Sequence, residues 1–185
     1  MSNSLKHLVC LDVGHGGKDP GVTNGNHFEK DYVLKVANFT MDLLAGDNIP
    51  VFMTRYNDSF LTLSKRTEIA NNAQATIFIS LHFNGAEDPS AHGIETFHFP
   101  GSKQGKILAS NIQSKMIQTL DGRDRGVKSA NFLVLRQTSM PAVLVEPAFI
   151  TNEKEKNKII SRDFQLDCAR SITNGILSFI REVNK

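Results

Sequence analysis

The chain has 185 residues, of which 40% are hydrophobic and 22% are charged, as is ordinary for a globular domain. Its 21 basic and 19 acidic residues give a formal net charge of +2, which is too small to indicate a nucleic-acid-binding protein. No stretch approaches the roughly 18 apolar residues of a membrane span, and the first eight residues lack the apolar core of a signal peptide. We therefore expect one domain over residues 1–185, with no nucleic-acid partner and no membrane span.

Apolar runs of strand length alternate along the chain with segments of helical period. Strands are predicted at residues 8–13, 49–54, 76–82, 93–99, 132–135 and 142–145. Helices are predicted at residues 29–46, 62–70, 103–120, 153–160 and 163–183, with Gly46 as a C-cap and Thr62 as an N-cap. Residues 121–126 are expected to form a charged, flexible connection. This alternation predicts a single α/β domain with a mostly parallel or mixed sheet.

The first predicted strand ends in a glycine turn that contains a histidine, Gly14-His15-Gly16-Gly17. Glycine allows positive φ angles and a close approach of the backbone to a ligand. We predict that His15 is a metal ligand; a histidine that only hydrogen-bonds to the turn backbone is the alternative. Residues 18–28 are rich in turn formers and predict a long, functional loop.

Two further reactive groups lie at predicted strand ends. His82 ends the third strand, and Glu146 ends the sixth, where Pro147 stops the hydrogen-bond ladder. Because α/β proteins build their sites at strand ends, we expect both residues at the same site as His15. The alternative for Glu146 is a surface or ion-paired carboxylate.

Glu29, at the end of the long loop, can join His15 and His82 if the first and third strands are neighbours. Two histidines and one carboxylate form a catalytic zinc set, which leaves a fourth position for a water molecule whose pKa zinc lowers to about 7. Glu146 is then placed to take the proton of that water and to hand it to a leaving amine.

Five blocks of sequence, in this order, carry a family resemblance. They are VGHGGKDPG at 13–21, EKD at 29–31, LSKRTEIAN at 63–71, SLHFNG at 80–85 and VEPAFITN at 145–152. These blocks resemble the zinc-dependent N-acetylmuramoyl-L-alanine amidases of the AmiC/LytC type, the amidase_3 family. The resemblance implies a sheet of about six strands flanked by helices, a zinc ion on His15, Glu29 and His82, and Glu146 as the catalytic carboxylate. It also implies cleavage of the amide between N-acetylmuramic acid and the L-alanine of the stem peptide in peptidoglycan.

The resemblance also has departures and limits. Val13 stands where the family commonly has proline, and this change is not expected to affect the metal. The short link between Asn84 and Gly93 has no room for the inhibitory helix of some periplasmic members, so we expect an open site, as in a phage endolysin or a Gram-positive autolysin. We expect a monomer without a wall-binding domain, acting at the cell wall or periplasm. Without a signal peptide, it would reach the wall by assisted release after phage-type cytoplasmic synthesis, or as a domain trimmed from a secreted protein.

Four other residues remain open to two interpretations each. Glu95 either braces a ligand histidine or contacts substrate, and Asn84 either donates to substrate or holds its turn. Arg66 is interpreted as a structural ion pair in preference to a substrate clamp. His27, close to Glu29 in sequence, is interpreted as a solvated loop histidine in preference to a ligand.

Two other functions stay open beside the amidase hypothesis. One is a zinc peptidase or carboxypeptidase that acts on another amide of the wall, which the reaction products distinguish. The other is a non-catalytic peptidoglycan-binding module. The presence of Glu146 favours an enzyme, because a binding module has no need of a proton shuttle.

Overall fold

The computed structural model describes residues 7–185. Its strands are β1 Val9–Val13, β2 Thr23–Asn24, β3 His27–Phe28, β4 Val51–Met53, β5 Ile77–Leu81, β6 Ile94–His98, β7 Asp124–Ser129 and β8 Ala142–Glu146. Its helices are α1 Glu29–Gly46, α2 Leu63–Asn72, α3 Lys103–Thr119, α4 Leu133–Arg136, α5 Glu153–Ile160 and α6 Arg162–Val183.

Six of these strands form one mixed sheet in the order β4-β1-β5-β8-β6-β7. The first four run parallel to one another, whereas β6 is antiparallel to β8 and parallel to β7. The carboxyl ends of β1, β5 and β8 therefore meet at one edge of the sheet, together with the amino end of β6. This confirms the predicted single α/β domain with a six-stranded mixed sheet.

The two faces of the sheet are covered unequally. The larger core cluster packs α1, α3 and α6 against one face, so that the central strands β1 and β5 are buried along their whole length. The smaller cluster packs α2 and α4 against the other face, where Phe52, Phe97 and Phe99 remain only partly buried. Apolar side chains on both faces explain the nearly continuous apolar runs of the central strands.

Two sequence predictions, for the segments around residues 121–126 and 132–135, are wrong. A flexible connection was expected at residues 121–126, but residues 124–129 form the edge strand β7. Its sequence is charged because it pairs on one side only and is largely accessible to solvent. Residues 132–135, predicted as a strand, are instead mostly the single helical turn α4. Four apolar residues are too few for their period to distinguish a strand from a helix.

Smaller differences concern the first helix and the loop before it. Gly46 lies inside α1 instead of capping it, and Asn48, with φ of 59°, is the nearby left-handed residue. The long loop contains a short hairpin, β2–β3, in which each strand has two residues. This hairpin leads directly into α1. Thr62 caps α2 as predicted, because its side chain accepts a hydrogen bond from the Lys65 amide.

Helices α3 and α6 approach each other closely at Gly175. A Cβ atom at this position would lie 2.5 Å from the Cα atom of Ile112. We expect Gly175→Ala to lower the free energy of unfolding by about 1–3 kcal/mol, measured by urea denaturation, because the backbone of α3 must move. Gly46→Ala is the matched control: nothing lies within 4 Å of that Cβ, and stability should stay unchanged or rise. Equal effects of the two changes would contradict this packing argument.

Neither cysteine forms a disulfide: Cys10 and Cys168 are both buried thiols, as expected. Burial raises the pKa of both thiols, so neither is an activated nucleophile. Within residues 7–185, no helix is both long and apolar enough to cross a bilayer.

Candidate active site

Three predicted ligands meet at the sheet edge where β1 and β5 end. These two strands are parallel neighbours, so His15 and His82, which follow them, lie side by side with their ring centres 4.8 Å apart. Glu29 is the first residue of α1 and is almost fully buried. The hairpin that precedes α1 returns the chain to this edge, and this explains how a residue from a separate loop joins the two histidines.

The carboxylate of Glu29 lies between the two imidazoles. Its Oε2 atom is 3.0 Å from Nε2 of His15, and its Oε1 atom is 2.8 Å from Nδ1 of His82. Backbone amides of Val22 and Phe83 donate to the same two oxygens and hold their orientation. One ligand atom from each of the three side chains lies within 4.8 Å of the others.

The donor set fits a divalent metal ion. Imidazole and carboxylate are common zinc ligands, and ligand atoms on tetrahedral zinc lie about 3.3 Å apart, close to the N···O distances found here. Two glycines leave space for these side chains. A Cβ atom on Gly21 would lie 2.5 Å from Oε2 of Glu29, and one on Gly14 would lie 2.5 Å from the ring of His82. The His15 backbone itself adopts φ of 58°, an uncommon left-handed conformation.

The protonation of Glu29 also suits a ligand. Burial alone would raise the pKa of this carboxyl, but the hydrogen bonds and charges of His15 and His82 outweigh burial and hold it far below its usual range. For His15, burial would lower the pKa, whereas Glu29 and Asp19 raise it. Glu29 therefore remains a carboxylate at any physiological pH, as metal binding requires.

Glu146 ends β8 beside this cluster, where Pro147 follows it. Its Oε2 atom is buried and has no hydrogen-bond partner among residues 7–185. Burial, followed by the negative charges of Glu29 and Glu95, raises the pKa of Glu146 well above its ordinary value. An unpaired buried carboxyl is costly to maintain and is typical of functional sites.

A buried ion pair supports the turn that carries His15. Arg66 of α2 lies 3.0 Å from Asp12 in β1, and their side chains are only 3% and 1% exposed. Arg66 also donates to the backbone carbonyls of Val13 and His15. This position agrees with the structural ion pair expected from the sequence. Through these hydrogen bonds Arg66 also stabilises the left-handed backbone at His15.

Sequence reasoning missed three other residues at this turn. Asp19 lies 2.9 Å from Nδ1 of His15 and orients its ring. Asp12 accepts hydrogen bonds from Arg66, Thr54 and Ser80. In the sequence, Asp12 could have been noticed as an acidic residue inside an otherwise apolar strand. Asp19 could have been noticed because it lies four residues after His15.

The third missed residue is Arg55, which follows β4 and is buried. Its guanidinium donates to the carbonyls of Val13 and Gly14 and also to that of Lys30, one residue after Glu29. Arg55 therefore joins the turn of one candidate ligand to the helix start of another. Its position directly after an apolar strand was the only sequence signal.

Glu95 and Asn84 lie next to Glu146 and contact each other. Glu95 faces Glu146 across the β6–β8 pair and accepts a 2.6 Å hydrogen bond from the Asn84 side chain. Within the described residues, Glu95 makes no hydrogen bond to His15 or His82, the two candidate ligand histidines; its other partners are Arg125 and Lys128. The Asn84 amide oxygen accepts from the Gly85 backbone, which matches the turn-holding interpretation.

The other histidines lie outside the cluster. His27 contacts the hydroxyl of Tyr32 through Nδ1, and so pairs within its own hairpin and helix. His92 contacts the carbonyl of Ser90, and His98 contacts that of Phe99.

Two adjoining cavities open on the site. A polar cleft of about 430 Å³ is lined by residues that include the three candidate ligands, Asn84 and Glu146. An apolar pocket of about 400 Å³ also includes His15 and His82, and its walls are largely formed by Phe60, Leu63 and Phe132. An extended substrate with polar and apolar parts can therefore lie across the cluster.

An α/β sheet that presents a His–Glu–His set and an unpaired carboxylate at one edge has the arrangement expected of a metal-dependent hydrolase. The family model described as N-acetylmuramoyl-L-alanine amidase matches residues 9–178. The chain belongs to this N-acetylmuramoyl-L-alanine amidase family.

Individual relatives agree with this membership. The chain is 40% identical over 174 residues to the uncharacterized protein YqiI of Bacillus subtilis, covering 92% of this chain and 84% of YqiI. It is 36% identical to the N-acetylmuramoyl-L-alanine amidase LytC of Bacillus subtilis, with 98% of this chain covered but only 38% of LytC. The crystal structure of N-acetylmuramoyl-L-alanine amidase from Clostridium difficile 630 superposes with a TM-score of 0.92 at 35% identity, covering 96% of this chain and 98% of that one.

Proposed function

We propose that this chain is a zinc-dependent peptidoglycan hydrolase that cleaves the amide between N-acetylmuramic acid and the L-alanine of the stem peptide. The observation that carries the proposal is the buried, unpaired carboxylate of Glu146 beside the converging side chains of His15, Glu29 and His82. Family membership supports the choice of this amide as the substrate bond. The activity places the site of action at the cell wall.

We infer that His15, Glu29 and His82 hold the zinc ion. Zinc supplies a Lewis acid that polarises the scissile carbonyl and lowers the pKa of water. Asp19 fixes the ring of His15 through Nδ1, and the Val22 and Phe83 amides fix the Glu29 carboxylate. The ligand side chains are therefore oriented by the protein.

Glu146 is the proposed proton carrier. It lies in the same cleft as the three ligands, and its raised pKa suits a carboxyl that accepts a proton from the attacking water and then releases it to the departing nitrogen. With that proton the L-alanine amino group leaves as a neutral amine. One residue thus acts first as a base and then as an acid.

Metal removal tests the proposal. Incubation with a chelator should lower the release of amino groups from purified peptidoglycan to background, and one equivalent of zinc should restore it. Labelling of the new amino termini should identify L-alanine. Activity that survives full chelation would contradict the zinc site. A different new terminus would indicate a peptidase, and binding without any release would indicate a binding module.

A further inference from the structure

A cluster of one carboxylate and two cations borders the candidate active site and has no role in the proposed reaction. Oε2 of Glu95 lies 2.6 Å from Nε of Arg125 and 2.5 Å from Nζ of Lys128, both on β7. The other Glu95 oxygen accepts from Asn84, which lines the polar cleft. We call Glu95, Arg125 and Lys128 the Glu95 cluster.

The Glu95 cluster carries surplus positive charge. Burial would raise the pKa of Glu95, but hydrogen bonds from Lys128 and Arg125 outweigh burial and lower it, so the residue is ionised. Two cations and one anion leave a net charge of +1. The Glu95 side chain is only 6% exposed, whereas those of Arg125 and Lys128 are 28% and 38% exposed. A second anion can therefore reach the cations from solution.

The two cations differ in how firmly they are held. Arg125 also donates to the carbonyl of His92 and stacks over the ring of Phe149 at 4.9 Å. Within residues 7–185, the Lys128 ammonium donates only to Glu95 and lies 5.9 Å from the ring centre of Phe97. Because an ammonium group has three N–H donors, Lys128 keeps two for a ligand.

Lys128 adjoins the apolar side of the candidate active site through a chain of aromatic contacts. The Phe97 ring packs edge-on against Phe132 at 5.4 Å, and Phe132 lines the apolar pocket that reaches His15 and His82. Phe132, Phe97 and Lys128 therefore form a row of contacts that leads from the wall of the apolar pocket to the Glu95 cluster.

The distance also suits a short peptide. Glu95 faces Glu146 on the neighbouring strand, and adjacent strands lie about 4.8 Å apart. The ammonium group of Lys128 contacts Glu95. An amide bound between Glu146 and His82 lies one to two strand spacings away, which places the ammonium group roughly 5–10 Å from it. Two residues of extended peptide span about 7 Å. The second residue of the stem peptide thus comes within reach of Lys128.

We propose that Lys128 binds a free carboxylate on the second stem-peptide residue, namely the α-carboxyl left when an acidic residue is joined to the third residue through its side chain. The enzyme then prefers stem peptides in which this α-carboxyl is free over those in which it is an amide. The inference rests on the proposed amidase function. An amide in this position carries no charge, so its carbonyl oxygen can accept only a weaker hydrogen bond from the ammonium group.

Two synthetic muramoyl tripeptides provide the test. In both, the second residue is a glutamate joined to the third residue through its side-chain carboxyl, and its α-carboxyl is free in one peptide and amidated in the other. We expect the unmodified protein to show a kcat/KM about tenfold higher for the free carboxylate, as for a charge-assisted hydrogen bond. Lys128→Met should bring this ratio close to one, mainly by raising KM for the free carboxylate, and Lys128→Arg should retain the preference. Lys106→Met, which removes an exposed lysine on α3, is the control and should behave like the unmodified protein.

Equal kcat/KM values for the two peptides would overturn this inference and leave the amidase function intact. So would a Lys128→Met protein that loses activity on both peptides equally, because a purely structural role of Lys128 does not discriminate between substrates. If the unmodified protein releases amino groups neither from these peptides nor from peptidoglycan, the proposed function fails, and this inference fails with it.

Discussion

Glu146→Gln is expected to lower kcat for peptidoglycan hydrolysis by a factor of about 10²–10⁴, the usual contribution of a general acid–base group. Glutamine keeps the size of the side chain but cannot carry a proton between water and amine. Zinc stoichiometry should stay at one per chain, because Glu146 is not among the three proposed ligands. Stability should not fall, since the buried Oε2 atom has no hydrogen-bond partner within residues 7–185 that the change would lose.

Amine release, metal analysis and urea denaturation of the same preparation measure these three quantities. Glu68→Gln provides the control, because Glu68 is an exposed glutamate on α2 that pairs, among residues 7–185, only with Lys65. Its kcat should equal that of the unmodified protein. A Glu146→Gln protein that retains zinc and more than a third of the normal kcat would show that another group moves the proton.

Arg66→Met is expected to lower the free energy of unfolding by about 3–5 kcal/mol, because it leaves Asp12 as a buried charge without its ionic partner. The same change removes the hydrogen bonds to the carbonyls of Val13 and His15. We therefore also expect weaker zinc binding, measured by competition with a chromogenic chelator. Guanidinium denaturation gives the change in stability.

Lys65→Met is the matched control on the same helix. Lys65 forms an exposed pair with Glu68, and such pairs contribute about 0–1 kcal/mol. Adding Asp12→Ala to Arg66→Met should cost less than the sum of the single changes, since each change alone leaves one charge unpaired. A loss below 1 kcal/mol for Arg66→Met, or strictly additive effects, would contradict the importance of this ion pair.

Much of the fold could be predicted from local patterns. The strands around Val9–Val13, Ile77–Leu81 and Ala142–Glu146 are buried on both faces, and their apolar runs are unambiguous. The long helices α3 and α6 have a clear helical period. The edge strand β7 and the single turn α4 were mispredicted, because a strand paired on one side can be charged and a four-residue segment has no readable period.

Part of the candidate site could likewise be predicted from local sequence patterns, and part could not. His15, His82 and Glu146 could be proposed from the sequence because each lies at or just after the end of a strand; glycine also follows His15 and proline follows Glu146. For Glu29, the main argument from the sequence was the family resemblance. Local patterns could not show that Glu29 lies beside the two histidines, because its position depends on the β2–β3 hairpin. Its place between the two imidazoles is a tertiary result.

The sequence by itself therefore determined the buried strands and the long helices, and which reactive groups stand at strand ends, because these features depend on residues close together in the chain. Only the tertiary structure decided that Arg66 pairs with Asp12, that Arg55 joins two ligand segments, and that β7 brings Lys128 to Glu95. These partners are 54, 25 and 33 residues apart, and they meet because of the strand order β4-β1-β5-β8-β6-β7. Strand order is set by the packing of the whole core, a property that no local window of sequence contains.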